Sequence, residues 1–143
     1  MRTSDSIEGN QLRTRLVWLI VGYLLVFFVI YLSLTPSPIE IPVSAGDKLS
    51  HVLAYFVLMS WFANLYQDHA HRTGFALGFI TLGATLEFLQ QWTGFRAFEV
   101  NDMLAGAAGV ALGLVAAPPR LPNYLGYLDR ICMALFKPDL DRS

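Results

Sequence analysis

The sequence has little charge and almost no cysteine. Only 15% of its 143 residues are Asp, Glu, Lys or Arg, and the formal net charge is -1. Binding of nucleic acid needs clustered Lys and Arg, so the scattered basic residues exclude nucleic acid as a partner. Cys132 is the single cysteine, and no disulfide can form within the chain. The length allows about one domain, which we expect to cover 1–143 and to leave no room for a soluble catalytic domain.

Hydrophobic residues, by contrast, make up 55% of the chain, which is typical of a membrane protein. A helix that crosses a bilayer needs roughly 20 mostly apolar residues. Four apolar segments approach this length, at about 16–34, 49–66, 74–91 and 103–117. The first is longer than the core of about 7–15 residues found in a signal peptide, so we expect it to be retained. The sequence therefore predicts an all-α fold, a polytopic membrane helix bundle of four transmembrane helices.

The end of the chain is predicted to differ from these four spans. Pro118 and Pro119 stop the fourth helix because proline lacks a backbone N–H donor. Beyond them, apolar residues recur every three or four positions over 121–136, which predicts an amphipathic helix. We expect this C-terminal helix to lie at the membrane surface. The alternative is that it docks onto the cytoplasmic end of the bundle.

The distribution of basic residues predicts the orientation of the spans. With four spans, one side of the membrane carries Arg2, Arg13, Arg15, Arg72, Arg120, Arg130, Lys137 and Arg142. The other side carries only Lys48 and Arg96. The positive-inside rule then places both termini and the loop 67–73 in the cytoplasm. We expect a multi-pass protein of the cytoplasmic (inner) membrane, surrounded by membrane lipids.

Rows of small residues occur in the third and fourth spans. Gly74 and Gly78 stand four residues apart in the third span, as do Gly109 and Gly113 in the fourth. Small residues at this spacing let helix backbones approach closely in lipid. We therefore expect the third and fourth helices to pack tightly together.

Polar and ionisable residues are predicted to gather at the extracytoplasmic end of the last three spans. These residues are Asp47, Lys48, His51, Glu87, Gln90, Gln91, Arg96, Glu99, Asn101 and Asp102. A carboxylate such as Glu87 is costly inside a membrane and rarely lacks a partner or a function. His51 and Glu87 each lie about one turn inside their spans, so the two side chains can pair. Such pairs form acid–base sites, although polar residues also hydrogen-bond membrane helices together.

The same residues resemble a known family. The motifs are Asp47-Lys48-x-x-His51-x-x-x-Tyr55, Glu87-x-x-Gln90, Arg96, and Asp102 followed by Gly106-x-x-Gly109-x-x-x-Gly113. In order and spacing they resemble the VanZ-like family of small integral membrane proteins over 47–114, about half of the chain. The sequence departs from the family at Ala105-Gly106, where family members often have Asn. The resemblance implies a multi-span envelope protein, and the best-known member confers low-level resistance to the glycopeptide antibiotic teicoplanin, but it does not supply a reaction.

Three classes of function remain open. We favour a binding or accessory protein whose outer polar residues bind an anionic or amphiphilic envelope ligand, such as a lipid-linked or cell-wall molecule. The predicted ligand-binding residues are Asp47, Lys48, Tyr55, Gln90, Arg96 and Asp102. The second class is an acid–base enzyme in which His51 and Glu87 transfer protons, but no nucleophile motif supports it. The third is a structural helix bundle, and a homo-oligomer is compatible with each class.

A metal site is a narrower hypothesis. Asp47, His51, Glu87 and Asp102 offer oxygen and nitrogen ligands that suit zinc or manganese. However, this outer end has a single histidine, and no His-Glu-x-x-His or comparable spacing occurs. The sequence therefore predicts neither a metal nor another cofactor.

Overall fold

The computed structural model describes residues 14–35, 46–94 and 98–135, which form five helices and no strand within these ranges. The helices are α1 (Arg15–Leu34), α2 (Gly46–Leu65), α3 (His69–Thr93), α4 (Val100–Val115) and α5 (Tyr124–Leu135). The all-helical prediction is confirmed for this part of the chain. Each helix overlaps a predicted segment, and the largest difference in bounds is at the start of α3.

Helix α3 begins five residues before the predicted start of the third span. Asp68 has an extended backbone and caps the helix, since its Oδ1 accepts a hydrogen bond from the backbone N–H of His71 at 2.9 Å. Such a cap satisfies a donor that the first turn of a helix leaves without an intrahelical partner. The prediction of a loop over 67–73 was therefore wrong from residue 69 onward. His69 and His71 lie in the first turn of α3 and are exposed.

At its other end, α3 stops at Gly94, whose backbone is left-handed. Gly94 has φ 74, and its N–H donates to the carbonyl of Gln91 at 3.1 Å. Glycine adopts this conformation without the steric penalty of a Cβ atom, which is why it ends many helices. The chain can then turn toward α4.

Helix α1 is the one described helix that is long and apolar enough, by length and composition, to cross a membrane. Several of its large apolar side chains, including Leu16, Phe27 and Tyr31, are more than half exposed. Helix α4 is also apolar but shorter. A single such helix near the N-terminus is also found in signal sequences. The described residues therefore contain one candidate membrane span, whereas the sequence predicted four.

Helix α2 forms the centre of the molecule and contacts each of the other four helices. Leu58, Met59 and Phe62 on this helix are fully buried. The ring of Phe62 lies 4.5 Å from that of Phe75 and 5.6 Å from that of Phe79, both on α3. Aromatic pairs at these separations add attraction beyond the area that they bury. This packing fixes the positions of the polar groups that α2 carries.

The glycines of α4 pack against α2, which corrects the predicted partner. A Cβ atom on Gly113 would lie 2.7 Å from the Cβ of Met59 and 2.9 Å from the carbonyl oxygen of Phe56. Helices α3 and α4 do touch, but a Cβ on Gly74 or Gly78 would meet nothing within 4 Å. The predicted packing of α3 against α4 is present, but these rows of glycine do not form it. The spacing of the glycines predicted that another helix packs closely on α4, but it did not show that this helix is α2.

The C-terminal helix α5 docks onto the bundle, which is the second of the two arrangements that the sequence left open for this helix. Leu125 is fully buried, and the hydroxyl groups of Tyr124 and Ser60 lie 3.3 Å apart. Other apolar residues of α5, such as Leu128 and Leu135, remain exposed. The helix therefore has one face on the bundle and a second apolar surface free to contact lipid.

Candidate functional site

The start of α2, the end of α3 and the start of α4 meet at one end of the bundle. They bring together Asp47, Lys48, His51, Glu87 and Asp102, which we call the polar cluster. Glu87 and Asp102 are each only 3% exposed. Burial of a carboxylate is costly unless a partner compensates for its lost hydration. The predicted convergence of these five residues is therefore present.

His51 and Glu87 form the central contact of the polar cluster. The Nε2 atom of His51 lies 3.4 Å from Oε1 of Glu87, so the predicted contact is present. The Nδ1 atom of the same ring lies 3.0 Å from the backbone carbonyl of Asp47. Because a carbonyl oxygen can only accept, Nδ1 carries a proton. In neutral His51 the lone pair of Nε2 then faces a carboxylate oxygen, and only a proton or another cation makes that contact attractive.

Lys48 provides a cation at the rim of the polar cluster. Its Nζ lies 2.9 Å from a carboxylate oxygen of Glu99 and 3.4 Å from Oδ1 of Asp102. The lysine side chain is 42% exposed, so solvent weakens both ion pairs. The backbone N–H of Glu99 also donates to Oε2 of Glu87 at 3.4 Å. Sequence reasoning placed Glu99 at this end but gave it no role.

Two carboxyl groups and the imidazole lie unusually close together. One ligand atom from each of Asp47, His51 and Asp102 lies within 4.8 Å of the other two. A carboxylate oxygen of Asp47 therefore lies within 4.8 Å of one of Asp102, a distance at which two negative charges repel each other. This proximity links α2 to α4 and could not be inferred from spacing within either helix.

The other three predicted ligand-binding residues have different surroundings. Tyr55 is 3% exposed. Its hydroxyl oxygen would lie 3.1 Å from a Cβ atom on Gly83, and its ring would lie 3.0 Å from a Cβ atom on Gly106. The side chain of Gln90 is buried, and its Nε2 donates to the carbonyl of Ser33 in α1 at 2.6 Å. These contacts give both residues a packing role. Arg96 lies outside the described residues.

The opposite end of the bundle contains two polar groups that sequence reasoning missed. Arg72 donates to the backbone carbonyls of Ala63, Tyr66 and Pro118 at 2.8, 2.9 and 2.6 Å. The Oδ1 atom of Asp129 accepts from the side chain and backbone N–H of Thr14 and from Nε1 of Trp18. Asp129 could have been found, because it lies one turn after the buried Leu125 on the same face. No signal in the sequence marks the partners of Arg72.

Comparison of the chain with models of protein families, with curated proteins and with solved structures finds no match.

The polar cluster can bind a cation or exchange a proton. It contains three carboxyl groups, an imidazole and one amine, all groups whose charge can compensate that of a ligand. Trp92 at the end of α3 is 85% exposed, and the rings of Phe88 and Phe98 stack 5.2 Å apart. Aromatic side chains of this kind favour the headgroup level of a membrane.

Proposed function

We propose that the chain is a multi-pass protein of the cytoplasmic membrane and binds an anionic or amphiphilic envelope ligand at its extracytoplasmic end. In this proposal α1 to α4 cross the bilayer, α5 lies at the cytoplasmic surface, and both termini are cytoplasmic. The resemblance to the VanZ-like family supports an envelope role that contributes to tolerance of glycopeptides such as teicoplanin. The partners are membrane lipids and a lipid-linked or cell-wall molecule.

One observation carries the proposal. Glu87 and Asp102 are almost completely buried at one end of a bundle whose outer surface is rich in apolar side chains, such as Phe88, Leu104 and Leu112. In a membrane protein, buried ionisable residues mark ligand or ion sites more often than surface residues do. Helix α4 has 16 residues, or about 24 Å at 1.5 Å per residue. This end would therefore lie close to the level of the lipid headgroups.

An acid–base enzyme acting on a lipid-linked or cell-wall substrate is the second candidate. The contact of 3.4 Å between His51 and Glu87 favours it, because proton transfer needs groups that can exchange a proton over a short distance. A structural role, in which the same groups only hold the helices together, is the third. The three candidate functions predict different effects of a conservative substitution in the polar cluster.

Complementation distinguishes these functions. We would express Glu87→Gln, His51→Ala and Arg96→Ala in a host whose tolerance to teicoplanin depends on this chain. His71→Ala is the matched control, because His71 also contacts a carboxylate, that of Asp68, but is exposed at the other end of the bundle. The binding proposal expects loss of tolerance in all three variants and none in the control, with abundance and thermal stability in detergent retained.

The other outcomes contradict the proposal in different ways. Variants that lose abundance and tolerance together would show a structural role. Full tolerance in all three variants would remove the polar cluster from the function. Ligand that still binds Glu87→Gln, without the phenotype, would favour the enzyme.

A further inference from the structure

We propose that Asp47, His51 and Asp102 bind a divalent metal ion of the Zn²⁺ or Mn²⁺ class. One ligand atom from each of these residues lies within 4.8 Å of the other two. Asp47 and His51 are on α2, and Asp102 is on α4. The spacing of ligands within a single helix did not predict a metal site, whereas the fold brings ligands from two helices together.

The orientation of His51 supports this proposal independently of the carboxyl groups. A histidine that binds a metal usually donates its other ring N–H to a backbone carbonyl or a carboxylate. His51 has this arrangement, since Nδ1 lies 3.0 Å from the carbonyl of Asp47 and Nε2 is directed at Glu87. The lone pair of Nε2 is thereby held ready for a ligand that accepts electrons.

Glu87 lies beside this site. Its Oε1 is 3.4 Å from Nε2 of His51, but its carboxylate is not one of the three ligand groups that lie within 4.8 Å of one another. The negative charge of Glu87 would favour a cation bound by Asp47, His51 and Asp102.

Charge balance favours the same conclusion. Three carboxyl groups, those of Asp47, Glu87 and Asp102, face one lysine among the described residues of this end. That lysine, Lys48, is at the rim and lies closer to Glu99 than to Asp102. A divalent cation would offset the repulsion between the carboxylates of Asp47 and Asp102, and it would reduce the cost of burying Glu87. The mixture of carboxylates and one imidazole suits zinc or manganese better than magnesium or calcium.

Metal content of the purified chain tests the proposal. The full chain would be purified in detergent without a polyhistidine tag, stripped with EDTA, and titrated separately with Zn²⁺, Mn²⁺ and Mg²⁺. We expect about one tightly held Zn²⁺ or Mn²⁺ per chain and weaker binding of Mg²⁺. Bound ion would be counted by mass spectrometry after gel filtration, and cobalt substitution would report the ligand geometry by its absorption spectrum. Wild-type chain that retains no ion would overturn the proposal.

Variants assign the ion to this cluster. Asp102→Asn and Asp47→Asn preserve side-chain shape and should each weaken binding by roughly tenfold or more. The matched control is the double substitution of His69 and His71 by Ala, which removes two exposed histidines from the other end of the bundle and should leave the affinity unchanged. If binding is lost only in this control, the proposal is wrong. If Asp102→Asn does not accumulate, the melting temperatures of wild type and Asp47→Asn would be measured with and without Zn²⁺ or Mn²⁺. A rise with the metal in wild type but not in Asp47→Asn supports the proposal. An equal rise in both chains contradicts it.

The metal proposal and the proposed function can fail separately. Titration with metal uses no envelope ligand and no phenotype, so an absent ion leaves the complementation test intact. Conversely, a chain that binds zinc but supports no glycopeptide tolerance would retain the site and lose only the envelope role.

Discussion

The two ends of the bundle bury polar groups in different ways. At the end near α5, the donors of Arg72 meet backbone carbonyls, and the acceptor Asp129 meets the donors of Thr14 and Trp18. At the polar cluster, three carboxyl groups lie beside the imidazole of His51, and the described residues Lys48 and Glu99 contribute an ammonium and a backbone N–H donor. We call the end near α5, which contains Arg72 and Asp129, the capped end.

The difference separates stabilising polar contacts from functional ones. A buried polar group contributes to stability when its partner has the complementary polarity, because the hydrogen bond then replaces those lost to water. Groups of similar polarity held close together cost free energy, and such sites persist where function requires them. We therefore expect the capped end to contribute to stability, and we propose that the polar cluster contributes to function. Substitutions at the two ends should have opposite consequences.

The largest effect is expected from Arg72→Met at the capped end. This change removes donors from three backbone carbonyls at the ends of α2 and α4, in hydrogen bonds that are partly buried. We expect a loss of about 2–4 kcal/mol in the free energy of unfolding. Equilibrium unfolding in mixed micelles would measure it. Arg120→Met is the control, because Arg120 is an exposed arginine at the same end, and equal losses in both variants would refute the assignment.

A smaller effect of the opposite sign is expected at the polar cluster. Glu87→Gln keeps the shape of the side chain and can still accept from the backbone N–H of Glu99. It removes one charge from the set of facing carboxyl groups. Measured in EDTA, the free energy of unfolding should stay the same or rise by about 1 kcal/mol. A loss comparable to that of Arg72→Met would mean that the polar cluster is structural and would abolish the distinction between the two ends.

The smallest effect concerns Asp68, an exposed residue beside the capped end. The hydrogen bond from the backbone N–H of His71, followed by the contact with its imidazole, lowers the pKa of the Asp68 carboxyl below its usual value. The stability that it contributes is therefore fully present above the unfolded pKa of about 3.9 and is lost as the pH falls through the lower folded pKa.

Asp68→Asn sharpens this prediction, because asparagine caps helices about as well as aspartate does. At neutral pH the melting temperature should change little. Between about pH 2 and 4, the variant should lose less stability than wild type. Thermal melts across this range would measure the difference, and superimposable acid profiles for the two chains would show that the Asp68 charge does not contribute.

Sequence by itself determined the helices and the level at which the polar groups lie. Apolar length predicted α1, proline placed the end of α4, and periodic spacing predicted α5. The depth of His51 and Glu87 within their segments was enough to predict their contact, which is 3.4 Å in the structure. Depth along a helix follows directly from residue number, since each residue advances the axis by about 1.5 Å.

Tertiary structure decided which faces meet. Helices that are apolar on several sides carry little periodic information about their rotation, so spacing could not show that Gly113 packs on α2 or that Gln90 binds Ser33 in α1. The proximity of Asp47 and Asp102 depends on the same rotation of α2 and α4. Residue number sets the height of a side chain along its helix, but packing between helices sets its direction, and that direction decided which carboxyl groups share a site.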